Sequence, residues 1–251
     1  MSLNQNEQQL VNLFRDIKNQ EWIPTKRHGD QCLGNTFEDL IGKTEDNRPV
    51  ADFRGIEIKS HRETTKSLVT LFSKAPSYPK RANTFLRTKY GVDEDQFGYP
   101  VLNTTVRGDC ENTHRGGYGY KAEIDYKNNR IKLLIRNLKT GEYEDNDIYW
   151  SFQVVENAIN QKIHTIAIVS GEECFSPNGY RCVKYSRMDL IKGITLDQLL
   201  RALSEGKLFI DIRIGVYASG KHEGKQHDHG TAFRMYLKDL LETYGSCETF
   251  L

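Results

Sequence analysis

The chain has 251 residues, 37% hydrophobic and 27% charged, with 35 Lys and Arg against 34 Asp and Glu for a formal net charge of +1. This length allows one large domain or two lobes, the composition excludes a disordered chain, and the charge excludes a protein that is basic throughout. A nucleic-acid surface would have to come from local patches. No apolar run approaches the roughly 18 residues that span a membrane. The stretch "MSLNQNEQQLVNLF" lacks the basic start and apolar centre of a signal peptide, so a cytoplasmic protein is expected. Cys32, Cys110, Cys174, Cys182 and Cys247 are odd in number, widely spaced and without a C-x-x-C. They are expected to be reduced and non-catalytic.

Leu10, Leu13, Phe14 and Ile17 recur at helical spacing, so residues 4–20 predict an amphipathic helix. "GNTFEDLIGK" predicts a shorter one, capped by Asn35 or Thr36, facing Phe37, Leu40 and Ile41 inward and ending at Gly42. "TEDNRPV" reads as a turn-rich loop. "VADF" and "GIEIKS" read as short strands joined by a tight Arg54-Gly55 turn, and "KSLVTLFSK" as a further strand. "RANTFLRTKYG" predicts a helix to Gly91, and residues 91–120 a long irregular connection. Residues 121–152 alternate across turns at Asn128-Asn129 and Thr140-Gly141, the pattern of a β-meander. "VVENAINQK" predicts a helix, "IHTIAIVSGE" a buried strand, "TLDQLLRALSEGK" a capped helix and "LFIDIRIGVYAS" an alternating strand. A loop rich in Gly, His and Lys follows, and "TAFRMYLKDLLETYG" predicts a closing helix. The pattern is α/β with a mixed sheet.

Two stretches carry chemistry. In "ADFRGIEIKSHR", Glu57 and Lys59 share one strand face while Ile56 and Ile58 point to the core. Asp52 lies across the turn and can come opposite Glu57. Two carboxylates with the carbonyl of Ile58 make a hard oxygen site suited to Mg²⁺, and a lysine beside it can hold the attacking water. This is the D…(D/E)xK pattern of metal-dependent nucleases. By itself it is weak, since a solvated hairpin carries the same residues as surface ion pairs. Glu38, on the preceding helix, can add an acid. Residues 62–89 are locally basic, with Lys66, Lys74 and Lys80 among seven cations and Glu63 the lone acid. Such a stretch suits a phosphate backbone, though alone it would read as a solvated face.

The second stretch is residues 207–234. Asp211 and Arg213 share a strand face about 7 Å apart. Asp can accept from cytosine and Arg can donate twice to guanine, so the two can read a G·C pair; the competing reading is an internal ion pair. His227, Asp228 and His229 add donors and acceptors. Zinc is disfavoured for "HDH", because no cysteine or third histidine stands at ligand spacing.

"GNTFEDLIGK", "ADFRGIEIKSH", "KSLVTLFSKAP", "ANTFLRTKYG", "YWSF", "DIRIGVYASGK" and "HDHGTAFR" together resemble the MvaI/BcnI family of restriction endonucleases, in the same order and over nearly the whole chain. The resemblance is closer to the MvaI type. It implies a MutH-like, PD-(D/E)xK nuclease fold: a mixed β-sheet flanked by helices, with two lobes around a DNA cleft. Residues 1–90 would be mainly catalytic and 91–251 mainly recognition. It implies Asp52, Glu57, Lys59 and Glu38 as catalytic residues, and Asp52, Glu57 and Ile58 as Mg²⁺ ligands. Asp211, Arg213, His227, Asp228, His229 and Arg234 would contact bases, and Lys66 and Lys74 the backbone. The implied enzyme is a monomer that nicks each strand of a CC-(central pair)-GG site in turn, CCWGG for an MvaI-type member. Its partner is double-stranded DNA, without a membrane, and a separate methyltransferase protects the host site. The competing functions are a MutH-type nicking endonuclease and a DNA-binding protein with an inactive nuclease site.

Overall fold

In the computed structural model of the chain, the described residues are 2–43, 51–93, 98–144, 147–217, 220–221, 223, 226–228, 230–244 and 246–251. The first part of the chain forms α1 (Gln5–Lys18), β1 (Ile23–Pro24), α2 (Cys32–Leu40), β2 (Glu57–Arg62), β3 (Leu68–Ser73) and α3 (Ala82–Tyr90). Next come β4 (Val92–Asp93), β5 (Pro100–Val106), β6 (Tyr118–Asp125), β7 (Arg130–Asn137), β8 (Tyr149–Ser151) and α4 (Phe152–Ala158). A π-helical turn, Ile159–Ile163, leads into β9 (Thr165–Phe175) and β10 (Arg181–Lys192). The chain continues as α5 (Leu196–Ser204), β11 (Leu208–Val216), β12 (Gln226–Asp228), β13 (Ala232–Tyr236), α6 (Leu237–Thr243) and β14 (Ser246–Phe250). The fold is mixed α/β, several sheets flanked by helices. Among the described residues, no helix is long and apolar enough to cross a membrane.

The elements divide into two units, each drawn from separate stretches of chain. The first comprises Met1–Val69, Ile159–Ile194 and Tyr236–Leu251. Its sheet runs β1-β10-β9-β2, with β14 also paired to β10. β2 lies parallel to β9 while β9 and β10 are antiparallel, which makes the sheet mixed. β9 is central, and its Ile166, Ala167, Ile168 and Val169 are all fully buried, as expected of a strand covered on both faces. α1 packs Leu10, Val11, Phe14 and Ile17 into a core shared with Leu33 and Phe37 of α2, Ile56, Ile58 of β2 and Val183 and Tyr185 of β10. The Tyr185 hydroxyl, buried with its ring, donates to the Leu33 carbonyl at 2.7 Å. α1 is fixed at its start by a capping box between Asn4 and Glu7.

The second unit comprises Thr70–Ala158 and Thr195–Met235. The sheet β3-β13-β11-β5-β4, with β12 on β11, sits there beside the meander β6-β7-β8. One face of β11 supplies Leu208, Ile210, Ile212 and Ile214 to the interior, all fully buried. Phe72 stacks on Phe233 at 4.6 Å, and the Trp150 indole N–H donates to the Lys74 carbonyl at 2.8 Å. α5 begins with a capping box, the Thr195 hydroxyl accepting from the Gln198 N–H and the Gln198 side chain accepting from the Thr195 N–H. Thr195→Ala removes the first of these bonds and should cost about 1 kcal/mol. It should lower the urea midpoint and leave the slope of the transition unchanged; an unchanged midpoint would mean that the cap contributes nothing.

Several expectations from the sequence are corrected. α2 begins at Cys32 and has no side-chain cap, so neither Asn35 nor Thr36 starts it; Thr36 is instead buried and bonded to the Thr25 hydroxyl at 2.7 Å. Of the expected strand "VADF", the described residues 51–53 are not a strand: Phe53 makes a single bridge to Ile56 across the Arg54-Gly55 turn. The span 91–120 holds β4, β5 and the start of β6, because "PVLNTTV" gains its strand from pairing with β11 rather than from apolar alternation. The segment 231–245 is not one helix, since its first half pairs with β11 as β13 and only Leu237–Thr243 is helical. β10 and β14 were not anticipated. The expected loop at 44–50 lies outside the described residues.

Candidate active site

The site starts from a two-residue turn. Phe53 and Ile56 exchange backbone hydrogen bonds, each 2.8 Å, and the two residues between them are left-handed, Arg54 at φ 47° and Gly55 at φ 91°. Such a turn needs positive φ at both central positions, which glycine takes without strain. It folds Asp52 back onto β2, where Asp52 Oδ2 accepts from the Ile58 N–H at 2.8 Å. Glu57 and Lys59 leave β2 on one face, and Lys59 Nζ donates to Glu57 Oε1 at 2.5 Å. The structure therefore brings together Asp52, Glu57 and Lys59.

The environment of Glu57 is unusual for a carboxylate. It is 1% exposed, and its Oε2 has no hydrogen-bond partner among the described residues. A buried carboxylate oxygen without a partner carries a large desolvation cost. Two lysines that were not singled out from the sequence complete the cluster. Lys162, on the π-helical turn, places Nζ 3.7 Å from Glu57 Oε1. Lys43 bonds to Asp52 Oδ1 and lies 3.0 Å from Glu38 Oε2. Burial works to lower the pKa of the Lys43 ammonium, but the carboxylates of Asp52 and Glu38 outweigh it and hold it above its ordinary value. Neither lysine had a signal in the sequence. Lys43 follows the end of a helix without periodicity, and Lys162 is brought beside Glu57 only by the pairing of β9 with β2.

The donor set suits a hard divalent cation. The unpartnered Glu57 oxygen, the Asp52 carboxylate and the Ile58 carbonyl are all oxygens, the type that Mg²⁺ takes. Among the described residues no group of three or more His, Cys, Asp or Glu could hold a metal, so a metal here would rest on two acids and backbone or water oxygens. The five cysteines are unpaired and outside this cluster.

The second unit presents Asp211, Arg213 and Arg234 on one face of its sheet. Asp211 and Arg213 point away from the apolar face of β11. Across the strand pairs, Thr105 stands opposite Asp211, Asn103 opposite Arg213, and Arg234 opposite Phe209. Asp211 is 6% exposed; its Oδ1 accepts from the Thr105 hydroxyl at 2.7 Å and its Oδ2 from Arg234 at 2.6 Å. The predicted Asp211 is thus tied to Arg234, on a neighbouring strand. Asn103 and Thr105 are exposed on the same face and were hidden in the span read as a loop. In β12, His227 pairs with Gly215 and Asp228 with Ile214. Their side chains, and His229 altogether, lie outside the described residues.

Residues 11–244 match the model of the MvaI/BcnI restriction endonuclease family. The chain belongs to that family. No curated protein matches it, but solved structures of MvaI do. One is described as a restriction endonuclease MvaI–cognate DNA substrate complex, at 37% identity, TM-score 0.89 and full coverage of both chains. Another, restriction endonuclease MvaI in the absence of DNA, is 38% identical over both full chains with a TM-score of 0.66. In this MvaI/BcnI-family nuclease the predicted phosphate-binding lysines occupy different units. Lys66 lines a cavity of about 710 Å³ with His61, Tyr236 and Lys238 in the first unit. Burial lowers the pKa of the His61 imidazole there. Lys74 and Lys80 are exposed in the second unit, where the Lys74 N–H is fixed to the Thr231 carbonyl at 2.8 Å.

Proposed function

We propose that this restriction endonuclease is a Mg²⁺-dependent type II enzyme that cuts duplex DNA at a CC-(central pair)-GG site, CCWGG, as a monomer nicking each strand in turn. The observation that carries the reading is the buried Glu57, with one oxygen unpartnered, beside Asp52 and Lys59. In this reading Asp52, Glu57 and the Ile58 carbonyl hold Mg²⁺, which when bound supplies charge neutralisation at the phosphate and a more acidic water. Lys59, anchored on Glu57 Oε1, orients the attacking water and meets the charge that grows on the phosphate oxygens. Glu38 acts on the site through Lys43. The first unit is catalytic. The second reads bases with Asp211, Arg213, Arg234, His227, Asp228 and His229, while Lys66 and Lys74 meet phosphates and carry no sequence information.

A monomer with one catalytic cluster has to turn round between strands. The enzyme works in the cytoplasm, and a separate methyltransferase protects the host site without being a physical partner. Incubation of supercoiled plasmid with the protein and Mg²⁺ should give nicked circles before linear DNA, with ends that map to CCWGG. Nicking confined to hemimethylated sites would mean a MutH-type enzyme, and binding without any cutting an inactive nuclease; either result would overturn the proposal. A dimer in sedimentation with no nicked intermediate would remove the strand-by-strand mechanism alone.

A further inference from the structure

Among the described residues, each acid of the site already faces an ammonium: Glu38 and Asp52 share Lys43, and Glu57 faces Lys59 and Lys162. Both oxygens of Asp52 are committed. Oδ2 is held by the Ile58 N–H, a backbone contact fixed by the Arg54-Gly55 turn, and Oδ1 by Lys43 Nζ. A cation that takes Asp52 at Oδ1 must therefore share that oxygen with Lys43 or displace it. A divalent ion added there also brings two more positive charges beside these ammoniums, which is unfavourable where water screens poorly.

Lys43 is the ammonium best placed to leave. Lys59 is carried by β2, paired along its length with β9, and its partner is Glu57. Lys162 is held within the π-helical turn and also faces Glu57. Lys43 stands three residues past the end of α2, directly after Gly42, whose φ of 76° marks a chain turn. Its side chain is 18% exposed, so it is enclosed by the acids it bridges.

We infer that Lys43 is a built-in substitute for the metal, a cation that holds Asp52 and Glu38 together in the metal-free protein and that the divalent ion displaces from Asp52 Oδ1. This rests on the metal reading of Asp52 and Glu57 given above. It makes Lys43 a positioning residue that weakens metal binding in the absence of DNA and keeps the cluster folded until the ion arrives.

The test is Mn²⁺ binding to the DNA-free protein at fixed ionic strength, followed by the loss of the free Mn²⁺ spin-resonance signal. Lys43→Met keeps the length of the side chain and removes its charge. It should tighten Mn²⁺ binding by about tenfold or more, as expected for the removal of one nearby like charge. Lys43→Arg should bind as weakly as the wild type. Glu57→Gln marks the site, since the binding at issue is the part that it abolishes. In the wild-type protein, the rate at which Lys43 is acetylated by a small activated acetyl ester, read by mass spectrometry, should rise several-fold with Mn²⁺. This second readout needs no variant and stands even if Lys43→Met fails to fold. Mn²⁺ binding by Lys43→Met that is unchanged or weaker, or Lys43 acetylation unaffected or slowed by Mn²⁺, overturns the inference and leaves Lys43 as a plain support for Asp52. Absence of any Mn²⁺ binding that Glu57→Gln removes is a different result: it overturns the metal assignment itself, and the inference with it.

Discussion

Glu57→Ala should lower the rate of strand cleavage by about 1,000-fold while the protein still binds its DNA site. The side chain is buried against Lys59 and Lys162. Its loss removes an oxygen that would hold the metal and the anchor that orients Lys59. Loss of one preorganised electrostatic contact typically costs 100- to 1,000-fold in rate, and Glu57 is assigned two roles. Two effects on stability oppose each other, since the change removes a costly buried carboxylate with one unpartnered oxygen but also takes the acid from Lys59 and Lys162, so the melting temperature is to be measured on the same samples. Lys59→Ala and Asp52→Ala should behave alike in cleavage. Ca²⁺ in place of Mg²⁺ should support binding without cutting, since it accepts the same oxygens but activates water poorly. Single-turnover cleavage with a gel-shift assay on the same samples checks this. Near-normal cutting by Glu57→Ala would remove the catalytic assignment.

The second large effect separates reading from holding. Arg213→Ala should cost about 1–3 kcal/mol at the cognate site and much less on random duplex, because a base contact is lost only where the right base stands. Lys74→Ala should weaken both about equally and flatten the dependence on salt. Asp211→Ala should differ from both. Its carboxylate is buried and joins Thr105 to Arg234, so its removal breaks a buried hydrogen bond and an ion pair at once. That variant should lose thermal stability as well as site preference. Binding to cognate and scrambled duplexes, measured with the melting temperature, tells the three apart. If Arg213→Ala lowers the melting temperature but leaves the cognate-to-scrambled ratio unchanged, Arg213 is a structural residue rather than a reader.

Local rules made much of the chain legible before folding. Helical spacing located α1, α5 and, up to its Gly91 cap, α3, since an amphipathic stripe is written within one element. Turn chemistry located the meander β6-β7-β8 and the Arg54-Gly55 turn, because left-handed positions favour a small set of residues. The period of two along β2 put Glu57 and Lys59 on one face and Ile58 on the other. Asp52, Glu57 and Lys59 were visible for that reason, all three lying within one turn and one strand.

Partnership between distant segments is not written locally. "PVLNTTV" and "TAFRMY" carry no decisive strand pattern, and they are strands because β11 lies between them and supplies the hydrogen bonds. Thr105 reached Asp211, and Arg234 reached the same carboxylate, only through that register. Lys162 reached Glu57 because the parallel pairing of β9 with β2 brings the turn before β9 beside the start of β2. Lys43 reached Asp52 because the tight turn sends Asp52 back across the end of α2. The sequence by itself determined the chemical types at the site and the face each would take along its own strand, since those depend on side-chain period and backbone preference. Only the tertiary structure decided which charges meet and which oxygens are left without partners, because sheet pairing and burial set the distances between residues far apart in the chain.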